Sequence, residues 1–375
     1  MLSRIVGQIH AKKILIRAFE QDLLAHAYLI SGEEGAGGEE LALEFARYIL
    51  CTARTPESLD ACGQCPSCVK VVSFQHPDVH YYFPILKSTT AEEWRGLVET
   101  KEDSLYSRVR VGGGSIHIGD RENPEENSVR ALIRQSGLHA YEGKYKIFIV
   151  TFAEDMNNEA ANALLKVLEE PPSQTLFLLT TAQLNLILPT IQSRCQIIKL
   201  RPVSSADIKD RLQDLSKIQA SRIAKLADGN YYKALLLKDG RYEEMRETML
   251  EFLSTVLSSR PQEIVNSVEQ ILVRTEKDKD RVIEFLNLLS VWFHDVLTVM
   301  AFNGKPEATK PFIVNEDLSD RLARFVQNFP SLDIDKSQVE IEKAVDLISR
   351  NVYLNLILIH LGLKIRQFAL LGPQF

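Results

Sequence analysis

The sequence predicts an α/β module, then a small helical region, then an all-α tail, and three observations predict it. Residues 25–30, the Gly-rich stretch 31–39 and the amphipathic residues 40–50 read as strand, loop and helix in succession, the order in which a phosphate-binding loop is built. Two further apolar runs, 146–150 and 175–179, are short, continuous and bounded by turn residues, as buried parallel strands are. From residue 241 onward one helical period follows another, with no strand-like alternation and no Gly-rich ligand loop.

A chain of 375 residues suffices for two or three domains with a sizeable core. A net charge of −6 argues against a generally basic, nucleic-acid-coating surface, though not against a local basic patch. Residues 1–7 are short and mixed, so no signal sequence is read there. The apolar run 354–363 is interrupted by Asn355 and His360 and is too short to span a bilayer. A cytoplasmic protein with no membrane partner is expected.

Taken in order, Ile5-Val6-Gly7-Gln8 precedes a helical run over 10–22, and residues 25–30 turn from the end of a helix into the first buried strand. The loop Ser31-Gly32-Glu33-Glu34-Gly35-Ala36-Gly37-Gly38-Glu39 follows. Against G-x-x-x-x-G-K-[ST], Gly32 and Gly37 match, but Gly38 stands where a lysine should reach the phosphates and Glu39 where a hydroxyl should ligate magnesium. With Glu33, Glu34, Glu39 and Glu40, four carboxylates crowd the place of a polyanion, and nothing is expected to offset their repulsion. The degenerate loop, with Gly32, Gly35, Gly37, Gly38 and Glu39, is therefore expected to keep the shape of a phosphate cradle without its chemistry. After the strand 146–150, where a nucleotide hydrolase would carry Asp-Glu, the chain has Thr151-Phe152. Glu154 and Asp155 remain as possible substitutes, several residues past the strand end.

Cys51, Cys62, Cys65 and Cys68 form a C-x10-C-x2-C-x2-C cluster, and Cys195 stands alone. Two tight C-x2-C steps let adjacent thiolates converge on one tetrahedral Zn²⁺; free or redox cysteines are the alternative. His76 and His80, close by, read as surface or packing residues. Residues 84–128 are polar, with loop signals at Val111-Gly112-Gly113-Gly114-Ser115 and Asn123-Pro124-Glu125-Glu126-Asn127, and read as an insertion of no evident purpose. A helix over 128–138 places Arg130 and Arg134 on one face, either solvated or touching a DNA phosphate. The tail reads as helices over 241–258, 261–273, 278–302, 316–329 and 335–371, with Trp292 and Phe293 in its core.

Residues 159–195 carry the most specific pattern. Ala161, Leu164, Leu165 and Leu168 mark an amphipathic helix stopped by Pro171-Pro172, and Pro189 opens a second short helix that delivers Ser193-Arg194-Cys195. Leu164-Leu165-Lys166 with Leu168-Glu169-Glu170-Pro171-Pro172, then Leu188-Pro189-Thr190-Ile191 and the Ser-Arg-Cys triplet, closely resembles the AAA+ core of the bacterial DNA polymerase III clamp-loader subunits. Within them it resembles the delta-prime kind, which keeps the AAA+ fold and a small zinc module while lacking competent Walker motifs. The resemblance implies an AAA+ core over 1–202, a helical lid over 203–240 and a helical collar over 241–375. It implies structural Zn²⁺ on Cys51, Cys62, Cys65 and Cys68, no ATP in this subunit, and Tyr232 where relatives place a nucleotide-sensing arginine. Arg194 is implied as a finger reaching the ATP of a neighbouring subunit, a structural salt bridge being the alternative. Implied partners are the tau/gamma motor subunits and the delta subunit, with the sliding clamp and primer-template DNA met through the assembled complex. An active motor-type ATPase is the enzyme alternative, but it needs the lysine and carboxylates this sequence lacks. A zinc-containing nucleic-acid-binding protein outside any ring is the third reading, and the acidic balance opposes it.

Overall fold

Strands β1 (Ala27–Ser31), β2 (Val79–Tyr82), β3 (Lys146–Val150), β4 (Thr175–Thr181) and β5 (Gln196–Lys199) form one parallel sheet in the order β2-β3-β4-β1-β5. The structure is a computed structural model describing residues 2–371 except 56, 57, 59, 108, 110–113, 123, 124, 126, 259, 303–308 and 351. Strands β3 and β4 are buried along their whole length, which is why they read as unbroken apolar runs and not as alternating ones. Edge strand β5 buries only Ile198. In the register, Leu29 lies between Leu179 and Ile197, so β1 runs up the sheet next to the most buried strand and delivers the Gly-rich loop at its carboxyl end, where open α/β sheets place ligands.

Helices α1 (Ile9–Glu20), α2 (Gly38–Leu50) and α3 (Pro66–Val72) follow the early part of the chain. Helix α1 ends at Glu20 and Asp22 takes a positive φ of 56°, so residues 25 and 26 belong to the connection and not to a helix end. Helix α4 (Ala91–Asp103) lies inside the stretch read as a loop-rich insertion. Its start is a capping box: Thr90 accepts from the Glu93 amide at 3.2 Å while the Glu93 carboxylate accepts from the Thr90 amide at 2.7 Å. Val98 and Lys101, on its inner face, are buried. Further along, Ile116 packs into the sheet's core cluster and pairs with Met156, so part of this stretch is core. Val111, Gly112, Gly113, Asn123, Pro124 and Glu126 lie outside the described residues.

Helix α5 (Val129–Ser136) is capped by Ser128. Arg130 donates to the Gly119 carbonyl, whereas Arg134 is exposed. Helix α6 (Asn158–Glu169) buries Ala160, Ala161, Leu164, Val167 and Leu168, with Asn157 accepting from the Ala160 amide at 2.8 Å. Helix α7 (Pro189–Gln192) has proline at its first position. Helices α8 (Ser205–Arg211), α9 (Lys217–Ala227) and α10 (Tyr231–Lys238) come next.

By its contacts the chain divides into two units, residues 1–212 with 227–234, and residues 213–226 with 235–375. The second unit contains α11 (Arg241–Ser258), α12 (Pro261–Arg274), α13 (Lys279–Ala301), α14 (Ser319–Asn328), α15 (Ile334–Ser349) and α16 (Leu354–Leu371). Trp292 and Phe293 lie in its core with Phe252, Phe285 and Leu289. Arg222 and Lys225 of α9 join it through ion pairs with Asp317 at 3.1 Å and Glu316 at 2.6 Å. Residues 281–301 are long and apolar enough to cross a membrane by composition, yet more than half of that window is buried inside the unit. The helix expected over 335–371 is broken in two. A single helix of that length would extend about 55 Å, well beyond the other helices; folded back as α15 and α16, it lays Ile341, Ile348, Leu358 and Leu361 into one core.

Candidate functional site

The Gly-rich loop between β1 and α2 turns through two glycines of positive φ, Gly35 and Gly37. Gly37 has a φ of +95°, which a side chain would oppose. At Gly35, with a φ of +77°, a Cβ would fall 1.8 Å from the Asn230 Oδ1. The Tyr231 amide donates to the Gly35 carbonyl at 3.0 Å, tying the loop to the segment expected to sense a nucleotide. Tyr232 lines the same cavity as Gly32, Glu33, Gly38 and Glu39. That cavity holds about 60 Å³, against the roughly 300 Å³ at which small-molecule pockets begin.

Helix α2 starts at Gly38, two residues earlier than expected, so Glu39 and Glu40 occupy its first turn. Carboxylates there are favoured by the helix macrodipole, but both are buried, at 9% and 7% exposure. Sequence reasoning expected nothing to offset their repulsion, and this is corrected by Lys101. Its Nζ, fully buried, lies 3.2 Å from Glu39 Oε1 and 3.4 Å from Glu40 Oε1 and donates to the Ser107 carbonyl at 2.8 Å. Burial pushes the Glu39 carboxyl up to about 7, with Lys101 pulling the other way. Burial alone would lower Lys101, but the two carboxylates hold it above its ordinary value.

A pH dependence follows. Glu39 holds its proton in the folded chain up to about pH 7 and in the unfolded chain only to its ordinary 4.5. Folding takes up a proton between these values, so its contribution is complete below pH 4.5 and is lost as pH rises through about 7. Midpoints of thermal unfolding measured from pH 4.5 to 8 should fall relative to those of Glu39→Gln across that window. Parallel profiles would mean that Glu39 titrates normally.

At the end of β3 the Thr151 amide donates to the Tyr82 carbonyl at 2.9 Å, and Phe152 turns into a positive φ of 50°. Phe152 lines the cradle; Glu154 and Asp155 are not among its lining residues. Glu154 instead accepts from the Ala182 amide at 3.0 Å, beyond β4. Arg194 follows α7 on the same sheet unit. Its guanidinium pairs with Glu169 at 2.6 Å and donates to the Thr190 carbonyl at 2.8 Å and the Ser193 hydroxyl at 3.3 Å, with a third of the side chain exposed. The spacing of the motif places Arg194 at a surface turn but carries no sign of the Glu169 contact, made across 25 residues.

Helix α2 ends at Leu50 with Cys51 as its C-cap, and α3 begins with Cys65 as its N-cap, so two helix termini deliver the outer parts of the cysteine cluster. The sulfurs of Cys51, Cys62, Cys65 and Cys68 lie within 4.8 Å of one another, Cys62 and Cys68 at 3.9 Å. A tetrahedral ion with Zn–S bonds of about 2.3 Å sets its sulfurs about 3.8 Å apart. Backbone amides point at the sulfurs, Cys62 to Cys51 at 3.2 Å and Cys65 to Cys62 at 3.3 Å, which favours thiolates. The donor set fits a metal ion such as zinc, and no cysteine is in a disulfide. His76 is not part of it: its two ring nitrogens are taken up by the Ser67 hydroxyl at 2.9 Å and the Asp78 amide, which donates to it at 3.1 Å. His80 stacks on Phe148 at 4.9 Å.

Comparison with known proteins agrees with this geometry. The family described as DNA polymerase III, delta subunit, matches residues 7–204. DNA polymerase III subunit delta' of Bacillus subtilis is 28% identical over 298 residues, 79% of each chain. The Haemophilus influenzae subunit delta' is 26% identical over 287 residues, 76% of this chain and 74% of that one. DNA polymerase III subunit tau of Bacillus subtilis is 28% identical over 243 residues, 63% of this chain and 36% of that one. With the family match running over more than half of its residues, through all five strands, the chain belongs to the DNA polymerase III delta' subunit family, among the AAA+ clamp-loader proteins.

Proposed function

We propose that the chain is a non-catalytic member of a clamp-loader ring, acting in the cytoplasm with the tau/gamma motor subunits and the delta subunit to place a sliding clamp on primed DNA. Residues 203–240 are then its lid and 241–375 the collar that joins the ring. The observation that carries the reading is the cradle itself. Its lysine and hydroxyl positions are Gly38 and Glu39, and the space left is about 60 Å³. A triphosphate brought there would meet two buried carboxylates and find no magnesium ligand at Thr151 or Phe152. Arg194 is the one group in this reading that serves catalysis, reaching from an exposed turn into the ATP of a neighbour. Zn²⁺ on the four cysteines is structural: when bound it cross-links the segment between α2 and α3. Similarity to a tau subunit keeps the motor-type ATPase as the competing reading, and the lost Walker side chains weigh against it.

Calorimetric titration of the purified chain with Mg-ATP should detect no site tighter than millimolar. Micromolar affinity would favour the motor-type reading. Mixing the chain with tau/gamma and delta subunits should give one complex on size exclusion, and persistent separation would remove the ring assignment.

A further inference from the structure

We propose that residues 91–107, in the stretch without an evident role, are a built-in occupant of the degenerate nucleotide cradle. A working phosphate loop holds an anion at the N-terminus of its helix and a lysine ammonium against that anion. Here the same charges come from the chain. The carboxyl groups of Glu39 and Glu40 take the anion's place in the first turn of α2, and Lys101 places its ammonium 3.2 Å and 3.4 Å from them. Helix α4 is built to deliver it: the Thr90–Glu93 capping box fixes its start, Val98 is buried one turn before Lys101, and the Ser107 carbonyl takes another of the ammonium's donors.

Tyr106 completes the occupant. It lines the cavity, its hydroxyl accepts from the Val6 amide at 2.8 Å, and its ring meets Tyr231 edge-on at 4.7 Å. Tyr231 is bonded in turn to the Gly35 carbonyl. The segments that would respond to a nucleotide, the loop before α2 and the Gly229–Tyr232 turn, are thus bonded to residues 91–107 or to each other. The cradle is held in one arrangement without ligand. The proposal deepens the reading that this subunit carries no nucleotide, and its test separates the two.

Lys101→Met removes the ammonium and keeps the bulk. It should lower the midpoint of thermal unfolding, and amide exchange over residues 38–43 and 229–232 should accelerate by about tenfold or more, since buried carboxylates lose their partner. Lys101→Met/Glu39→Gln/Glu40→Gln removes both sides of the pair and should recover most of the lost protection, including where the single variant fails to fold. Wild-type exchange at residues 38–43 in Lys101→Met, or no recovery in the triple variant, overturns the occupant. Micromolar Mg-ATP binding by the wild-type chain would instead overturn the nucleotide-free reading on which the occupant rests. A silent Lys101→Met with ATP still unbound overturns the occupant alone.

Discussion

Arg194→Ala, placed in an assembled clamp loader, is expected to slow ATP turnover by about 10³–10⁵-fold at the one ATP site this arginine is proposed to serve. Total DNA- and clamp-stimulated turnover should fall by less, because other sites continue, and clamp loading should be depressed with it. The guanidinium is always charged and can make bidentate contacts to a γ-phosphate as charge develops there. The Glu169 contact seen in the isolated chain does not prevent this. Arg194 and Glu169 are 32% and 50% exposed, and a surface pair of that kind contributes about 0–1 kcal/mol. The finger's rate effect corresponds to about 4–7 kcal/mol, so exchanging the carboxylate for a phosphate is downhill. Glu169→Gln should therefore leave turnover near wild type, while Arg194→Ala leaves folding, zinc content and assembly intact. Wild-type turnover and loading by a ring carrying Arg194→Ala would return the arginine to a salt bridge within the domain.

What the sequence reveals and what it hides divide along the range of the interactions. Strands β3 and β4 were legible because burial on both faces writes a continuous apolar run, and α6 because Ala161, Leu164 and Leu168 repeat at helical spacing before Pro171. The cysteine cluster was legible because its ligands are neighbours in the chain. Helix α4 was missed although its signal is local, Thr90 and Glu93 followed by Val98; the glycines and polar residues downstream outweighed it. The partner of Lys101 was beyond reach, since a lone lysine on an apolar helix face gives no sign of two carboxylates 61 and 62 residues earlier. Helix α15 ends at Ser349 and α16 begins at Leu354, and no glycine or proline stands between them in the sequence to announce the break. It comes from the helices packing on each other, and a local pattern does not record that.

Removing zinc should produce a large but confined loss of structure. The purified chain should carry about one Zn²⁺, and Cys65→Ser or a strong chelator should remove it. As thiolates, sulfurs drawn within 4.8 Å of one another repel unless a cation offsets their charge, and structural zinc sites contribute on the order of 10 kcal/mol of folding free energy in isolated modules. Loss of the ion should release residues 51–72, seen as faster amide exchange across α3 and new protease cleavage between α2 and α3. The effect should pass along the Ser67–His76 hydrogen bond and stop at β2. There the buried Asp78 carboxylate accepts from the amides of Tyr141, Glu142 and Gly143, which holds its pKa below the usual range despite burial. The core cluster that holds Leu29, Phe148 and Phe177 on one face of the sheet contains no described residue from 51–72, so β1, β3 and β4 should keep most of their protection. Metal content unchanged by Cys65→Ser, or undiminished protection of α3 after chelation, would remove zinc from this segment.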